Sequence, residues 1–382
     1  MEKKKILIIY DFFTTTIEVN LFYLNSIFDV NSNTIKTKPS NRVTEKLLEW
    51  CDICIAIRPG SIYMVRLLKA IKTSGRLFIS IYDDDLLNLP HVQWKSKYIN
   101  ECLTCSDAII TPNPILLEDY SKIAPTTKFI LSHSHIIESD IKGIPPISET
   151  IRIVYAAGKD HVGLFNSFIK PSLDELHSRY GNVRLTIMGV DPVLDDLKDT
   201  SWIVKVATKP LKEYMNYMAE NPFDIGLAPL HDDPFCNKKY FNKYIEYSKY
   251  GICGLYSNCL PYTLVVKQGQ NGILVENSVS EWRRNLFKAI ESIDNIKMMA
   301  SNAQRHLRQN FTLSEVREKL FKNIDDIPIS SSRKAVIYSH YNFLCLCYEI
   351  KSIYHRMKYN IKHEGFRKTF KKICKFLSPL AR

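Results

Sequence analysis

The chain has 382 residues, 45% of them hydrophobic, with 21 tyrosines and 18 phenylalanines; this exceeds what one core organises, supplies apolar material for two, and excludes disorder across the whole chain. The formal charge of +12 is uneven, because residues 331–382 carry twelve Lys or Arg against Glu349 and Glu364, a net of +10. A nearly neutral body with one basic appendage points to an anionic surface touched by that appendage, and away from a body built to bind nucleic acid.

From the N-terminus, short apolar runs alternate with helical patterns. KILIIYD (5–11), CDICIAIR (51–58), RLFISIYD (76–83), SDAIITPN (106–113) and TKFILSH (127–133) lack the alternation of a half-wet strand, so they are predicted to be buried parallel strands. VRLLKAIKTSG (65–75) is amphipathic and ends on a glycine, as a helix between two such strands should. KGIPPISET (142–150) combines prolines, a glycine and polar residues and reads as a linker. A second series follows: IRIVYAAG (151–158), VRLTIMG (183–189), WIVKVAT (202–208), FDIGLAPL (223–230), GICGLYS (251–257) and NGILVEN (271–277).

The expected fold class is α/β: two Rossmann-like, doubly wound domains, residues 1–149 and 150–311, facing a cleft. TLSEVREKLFKNI (312–324) reads as a helix, within a segment 312–330 that precedes a basic amphipathic tail, 331–382. No G-x-G-x-x-G follows the first strand, which counts against a dinucleotide-binding domain. No repeat of short period is visible.

ILIIY at 6–10 is too short for the apolar part of a secretory signal and runs into Asp11, and no apolar run has the length of a membrane span. The expectation is a cytosolic protein with reduced cysteines. The pairs Cys51/Cys54 and Cys102/Cys105 each precede or sit beside an aspartate and a short apolar run, with no histidine pair at ligand spacing. They read as small apolar residues lining a core rather than as zinc ligands.

The stretch FCNKKYFNKYIEYSKYG (235–251) is predicted to be one helix, N-capped by Asn237 and closed by Gly251. Lys239, Lys243 and Glu246 then fall at i, i+4 and i+7 on one face. Lysines in a first turn oppose the helix dipole, and like charges at i, i+4 cost about 0.2–0.5 kcal/mol. Since the segment follows a strand end, an anion bound at the helix start would offset that cost.

On the residues IVYAAGKDHVGLFNSFIKPSLDEL (153–176), VRLTIMG (183–189), FDIGLAPLHDDPFCNKKYFNKYIEYSKYGICGLYSN (223–258) and PYTLVVKQGQNGILVEN (261–277), the second domain resembles the donor half of a GT-B glycosyltransferase. The likeness is to family-4-like enzymes (glycosyl transferases group 1) of bacterial surface polysaccharide assembly. In related enzymes F-N-x-x-K-S-x-x-K-x-x-E-Y binds the sugar nucleotide, and Phe235, Lys239, Lys243, Glu246 and Tyr247 keep that pattern in register. The resemblance implies that Glu246 accepts hydrogen bonds from the nucleotide ribose and that Lys239 and Lys243 lie near the diphosphate. It places His161 near the donor phosphates or sugar, and Gly158, Tyr247 and Tyr262 in the donor site. It implies a nucleotide-diphosphate sugar as donor substrate, no further cofactor and no metal.

Three positions depart from the pattern. Many relatives carry E-x7-E, but the position eight before Glu246 is Lys238, while Cys236 and Tyr240 replace an Asn and a Ser. In the first domain SIYDDDLLNLP (80–90) sets Asp83, Asp84 and Asp85 at the end of a buried strand, similar to the acidic segment that faces the acceptor in related enzymes. Asp83 or Asp84 is expected to serve as general base for an acceptor hydroxyl, with at least one aspartate capping the next helix. Arg58 is a further candidate for the same cleft. The tail has no counterpart in the resemblance, and its aromatic, aliphatic and cationic residues at helical spacing suit a membrane interface. The resulting reading is a glycosyltransferase with a saccharide or lipid-linked saccharide acceptor, peripheral at the inner face of a bacterial membrane and without nucleic acid. A catalytically silent subunit that binds a glycan or a partner enzyme is the alternative.

Overall fold

The computed structural model describes residues 4–29, 33–327, 334–336, 338 and 343–364. Segment 365–382, read above as part of the basic tail, lies outside the described residues.

The first sheet contains β1 (Lys5–Tyr10), β2 (Thr34–Pro39), β3 (Ile53–Ile57), β4 (Leu77–Ile81), β5 (Ala108–Thr111) and β6 (Lys128–Leu131), all parallel, in the order β2-β1-β3-β4-β5-β6. Its crossovers carry α1 (Thr15–Phe28), α2 (Glu45–Trp50), α3 (Ile62–Thr73), α4 (Ser96–Cys105) and α5 (Pro114–Ile123). The second sheet contains β7 (Ile151–Ala156), β8 (Val183–Met188), β9 (Ile203–Val206), β10 (Ile225–Ala228), β11 (Cys253–Ser257) and β12 (Ile273–Val275), again parallel, in the order β12-β11-β10-β7-β8-β9. Around it lie α6 (Val162–Leu164), α7 (Leu173–Arg179), α8 (Leu211–Glu220), α9 (Asn242–Lys249), α10 (Val279–Glu291) and α11 (Ile293–Asn310). Then come α12 (Leu313–Asp325) and α13 (Phe343–Glu364).

Each run predicted to be a strand contains one. Strand β2, TIKTKP, was not predicted; it is the sheet edge and alternates exposed with half-buried residues, so it lacks the apolar continuity of its neighbours. Lys36, Lys38 and Pro39 blunt that edge. In the central strands the side chains alternate between two layers of core. Ile6 and Ile8 point to the α1 and α12 side, while Leu7 and Ile9 join Cys51, Cys54 and Cys102 on the α3 side. These three cysteines pack as apolar residues.

The chain crosses between the sheets twice. Going out, residues 142–150 pass over the end of α9, where the Lys142 amide donates to the Lys249 carbonyl at 2.9 Å. Gly251 has φ of 71°, and a Cβ there would sit 2.8 Å from the Gly143 carbonyl oxygen, so only glycine allows the crossing. Coming back, Thr312 caps α12, whose Val316, Leu320 and Ile324 enter the core of the first sheet. Arg317 donates to the Ser26 and Ile27 carbonyls at the end of α1, satisfying groups that a helix terminus leaves open.

Candidate active site

The carboxyl ends of both sheets carry the charged loops. After β10, Asp233 Oδ1 accepts the amides of Phe235 (3.0 Å) and Cys236 (2.8 Å) and starts a single 3-10 turn, Cys236–Lys238. Lys239 is extended (φ −70°, ψ 161°), and α9 begins only at Asn242. The single helix expected over 235–251 therefore does not form: Asp233, not Asn237, is the cap. Lys238 and Lys239 do not occupy its first turn, and Lys239 does not share a helix face with Lys243. Tyr240 and Phe241, buried with their rings 4.1 Å apart, anchor the break.

Within α9, Lys243 and Glu246 keep their i, i+3 relation. Lys243 Nζ donates to Glu246 Oε2 (2.7 Å) and to the Tyr214 hydroxyl (3.2 Å) and lies over the rings of Tyr214 and Tyr247. Even with the two in contact, burial drives Lys243 down to about 7 and Glu246 up to about 8. Glu246 Oε1 is buried and accepts no hydrogen bond from the described residues. A buried carboxylate oxygen left open costs free energy unless something donates to it.

His161 closes a 3-10 turn, Lys159–His161, after β7, and its carbonyl is held by the Tyr155 hydroxyl at 2.9 Å. Burial lowers the pKa of its ring; Asp160 opposes the shift, and the charges of Lys239, Lys243 and His231 add to it. These basic groups thus converge on one place. Lys239, whose ammonium lies 5.2 Å from the Phe235 ring centroid, makes no ion pair among the described residues.

Across the cleft, Arg58 at the end of β3 adopts φ of 49°, a conformation costing roughly 1–3 kcal/mol in a non-glycine residue. Its guanidinium forks to Asp83 and to Asp84 Oδ2 (2.7 Å), while Asn20 donates to Asp83 Oδ2 at 3.0 Å. Both oxygens of Asp83 are therefore engaged. Asp84 is raised by burial, which outweighs Arg58 and Lys239, and this suits it to take a proton at the cleft. Asp85 lies elsewhere: it is 1% exposed, and Lys238 Nζ reaches it at 2.7 Å and Asp119 at 2.8 Å. Asn113 Nδ2 donates to the carbonyls of Asn237 and Lys239 (3.2 and 2.7 Å). This clasp joins the two domains, and nothing in the sequence signals it, because its partners are more than a hundred residues apart.

Two cavities open beside the second sheet and its helices. One of about 760 Å³ lies at the ends of β7, β8 and β9, between Lys159, Gly189 and Lys205–Thr208. Gly189, with φ of 83° and the Ala157 carbonyl 2.3 Å from where a Cβ would be, permits the turn that forms it. The other, about 340 Å³, is walled by Lys243, Glu246 and Tyr214 and by Tyr23 and His135 of the first domain. Neither cavity was expected from the sequence, although the MG that ends β8 marks the first.

No protein-family model and no curated protein matches the sequence. Solved structures do. HepE from Anabaena, in complex with UDP and glucose, has a TM-score of 0.62 at 12% identity, over 85% of this chain and 100% of that one. A glycosyltransferase from Rickettsia africae has a TM-score of 0.67 at 12% identity, over 86% and 99%. Sucrose-phosphate synthase from Thermosynechococcus elongatus has 0.60 at 10%, over 85% and 98%. The chain has the GT-B fold. At these identities the likeness is one of fold, and it agrees with the expected pair of Rossmann-like domains.

Within this GT-B cleft Lys239 lies within electrostatic reach of both Asp84 and His161, and Lys243 within reach of His161. It does not bring Tyr247 or Tyr262 to the cleft surface. Tyr247 is fully buried, donates to the Leu227 carbonyl (3.0 Å) and packs on Gly226. Tyr262 is buried against Tyr256, with ring centroids 4.9 Å apart. Both are core residues, Tyr247 on the buried face of α9 itself, whereas the resemblance placed them in the donor site. Gly158 leads into the His161 turn, where a Cβ would press Asp160 Oδ1 at 2.6 Å. Among the described residues no group of three or more His, Cys, Asp or Glu is placed to hold a metal ion.

Proposed function

We propose that the protein is a nucleotide-sugar-dependent glycosyltransferase that passes a sugar to a saccharide acceptor. The observation that carries this is the open, buried Glu246 Oε1 beside a convergence of His161, Lys239 and Lys243 at the strand ends of the second sheet. In this reading Glu246 accepts from a ribose hydroxyl, the larger cavity takes the base, and the lysines with His161 stabilise the diphosphate as it leaves with growing negative charge. No further cofactor and no metal is needed for that step. Asp84 takes the proton of the attacking hydroxyl, which its raised proton affinity suits. HepE, of the same fold, binds UDP and glucose.

Helix α13 supports a peripheral place at the inner face of a membrane and a lipid-linked acceptor, as in bacterial capsule or O-antigen assembly. Leu346, Ile350, Ile353, Met357 and Ile361 form one exposed apolar stripe along it, bordered by Lys351, Lys358 and Lys362, the pattern of a helix lying in an anionic interface. No helix among the described residues is long and apolar enough to cross a membrane.

A silent, binding-only subunit is the second reading. It is favoured by Lys238, which replaces an acid of related enzymes and is tied to Asp85 and Asp119. Thermal-shift screening against UDP, GDP, CDP, ADP and their sugar conjugates separates the two. Stabilisation by one nucleotide and slow turnover of its sugar conjugate is the expected result; no response to any of them would favour the silent subunit.

A further inference from the structure

Helix α13 crosses the first domain where the carboxyl ends of β2, β1 and β3 open, the position at which open α/β sheets bind ligands. It is pinned there by Cys345 and Tyr348, buried against Ile62 and Tyr63, by Tyr63 donating to Glu349 at 2.7 Å, and by His355 stacked on Trp94 at 4.9 Å. It does not seal the opening. A cavity of about 310 Å³ remains, with Asp11 and Ser61 on the strand side and Tyr348, Glu349 and Arg356 on the helix side.

The floor is prepared for a ligand that donates hydrogen bonds. Asp11 Oδ1 accepts from Ser61 (2.5 Å) and Ser40 (2.8 Å), two buried serines, which fix the carboxylate; its Oδ2 takes no hydrogen bond from the described residues. The rim is aromatic and cationic. Phe12 is 46% exposed, with the Arg356 guanidinium 4.6 Å from its ring centroid, and Lys95 lies among the rings of Phe12, Trp94 and Tyr348.

We propose that this cavity is a saccharide site, where a sugar ring of the acceptor docks. Two carboxylates repel a phosphate but suit hydroxyl donors. Arg356 supplies a donor for ring or hydroxyl oxygens, and Phe12 offers an apolar face for the C–H side of the ring. The word acceptor rests on the glycosyltransferase reading, whereas occupancy by a sugar does not. Helix α13 then has two duties: Tyr348, Glu349, Ile353 and Arg356 frame the sugar, and Leu346, Ile350, Met357 and Ile361 lie on its exposed stripe.

Saturation-transfer NMR on the full chain tests this, with methyl β-glucoside, methyl β-galactoside, methyl α-mannoside and N-acetylglucosamine at millimolar concentration as probes. Asn41 is exposed at the cavity mouth, so Asn41→Trp fills the space without entering a core; Asp11→Asn removes the charge. At least one probe is expected to receive saturation from the wild-type chain and to lose it at least fivefold in both variants. A signal surviving in either variant, or no signal in the wild type, would overturn the site. Melting temperature checks the fold of each variant. UDP titration of the same samples reports separately on the donor: a wild-type chain that fails to bind UDP while a sugar occupies the cavity would sink the UDP-donor reading and leave this site standing.

Discussion

In the second half of the molecule His161, Lys239 and Lys243 gather beside one buried carboxylate, Glu246, so positive charge is left over at the strand ends. In the first half, built on the same parallel six-stranded plan, Asp83 and Asp84 share one guanidinium, and the third acid, Asp85, is consumed by Lys238. Two like scaffolds thus present unlike surfaces. An excess of cations with an open acceptor oxygen calls for an anionic ligand carrying hydroxyls. A neutralised acid pair with one raised member calls only for a proton to be taken. The loops at the strand ends, and not the sheets, decide which half does which.

Removing the proton acceptor should give the largest effect. Asp84→Asn is expected to lower kcat by about 10²–10⁴ while UDP affinity stays within twofold; equal rates in variant and wild type would remove Asp84 from the reaction. Next comes the clasp between the halves. Asp85→Asn leaves Lys238, at 12% exposure, with Asp119 as its remaining carboxylate, and breaking a buried pair costs about 3–5 kcal/mol. Denaturant unfolding should show a loss near the lower end of that range, and a loss under 1 kcal/mol would mean that the clasp does not hold the domains.

A smaller effect distinguishes the cation cluster by pH. Burial brings the ammonium of Lys243 down to about 7. A lysine with a lowered pKa is charged below that value and neutral above it, so diphosphate affinity of the wild-type chain should fall between pH 6 and 8.5, and Lys243→Met should flatten that fall. Parallel profiles would show that the charge of Lys243 does not reach the diphosphate. Smallest is the surface of α13. Ile350→Lys, at an exposed position, is expected to reduce binding to vesicles rich in anionic lipid severalfold; undiminished binding would move the membrane contact elsewhere.

What the sequence revealed follows the range of the forces involved. Buried strands such as ICIAI and LFISI declare themselves because both faces are apolar, and β2 escapes because an edge strand is not. Lys243 and Glu246 were legible since three residues of helix bring them together. The break at Lys239 was not, because it depends on Asp233 capping an earlier turn and on Tyr240 packing under the first domain, where its hydroxyl meets the Ser134 amide at 3.2 Å. The sorting of Asp83, Asp84 and Asp85 into three roles needed Arg58, Asn20 and Lys238, contributed by other strands, another helix and the other domain. Tyr247 matched a motif in register yet turned inward, since only a ring can fill the space that Gly226 leaves.

The central claim is that Lys239 and Lys243, before and within the first turn of α9, await a diphosphate. Calorimetric titration of UDP and UDP-glucose into the wild-type chain and into Lys239→Ala at pH 7.5 addresses it directly. The account predicts one-to-one binding to the wild type and at least tenfold weaker binding to the variant, about 1.4 kcal/mol or more. Equal affinity for both chains, or a wild-type chain that binds neither nucleotide, would contradict it.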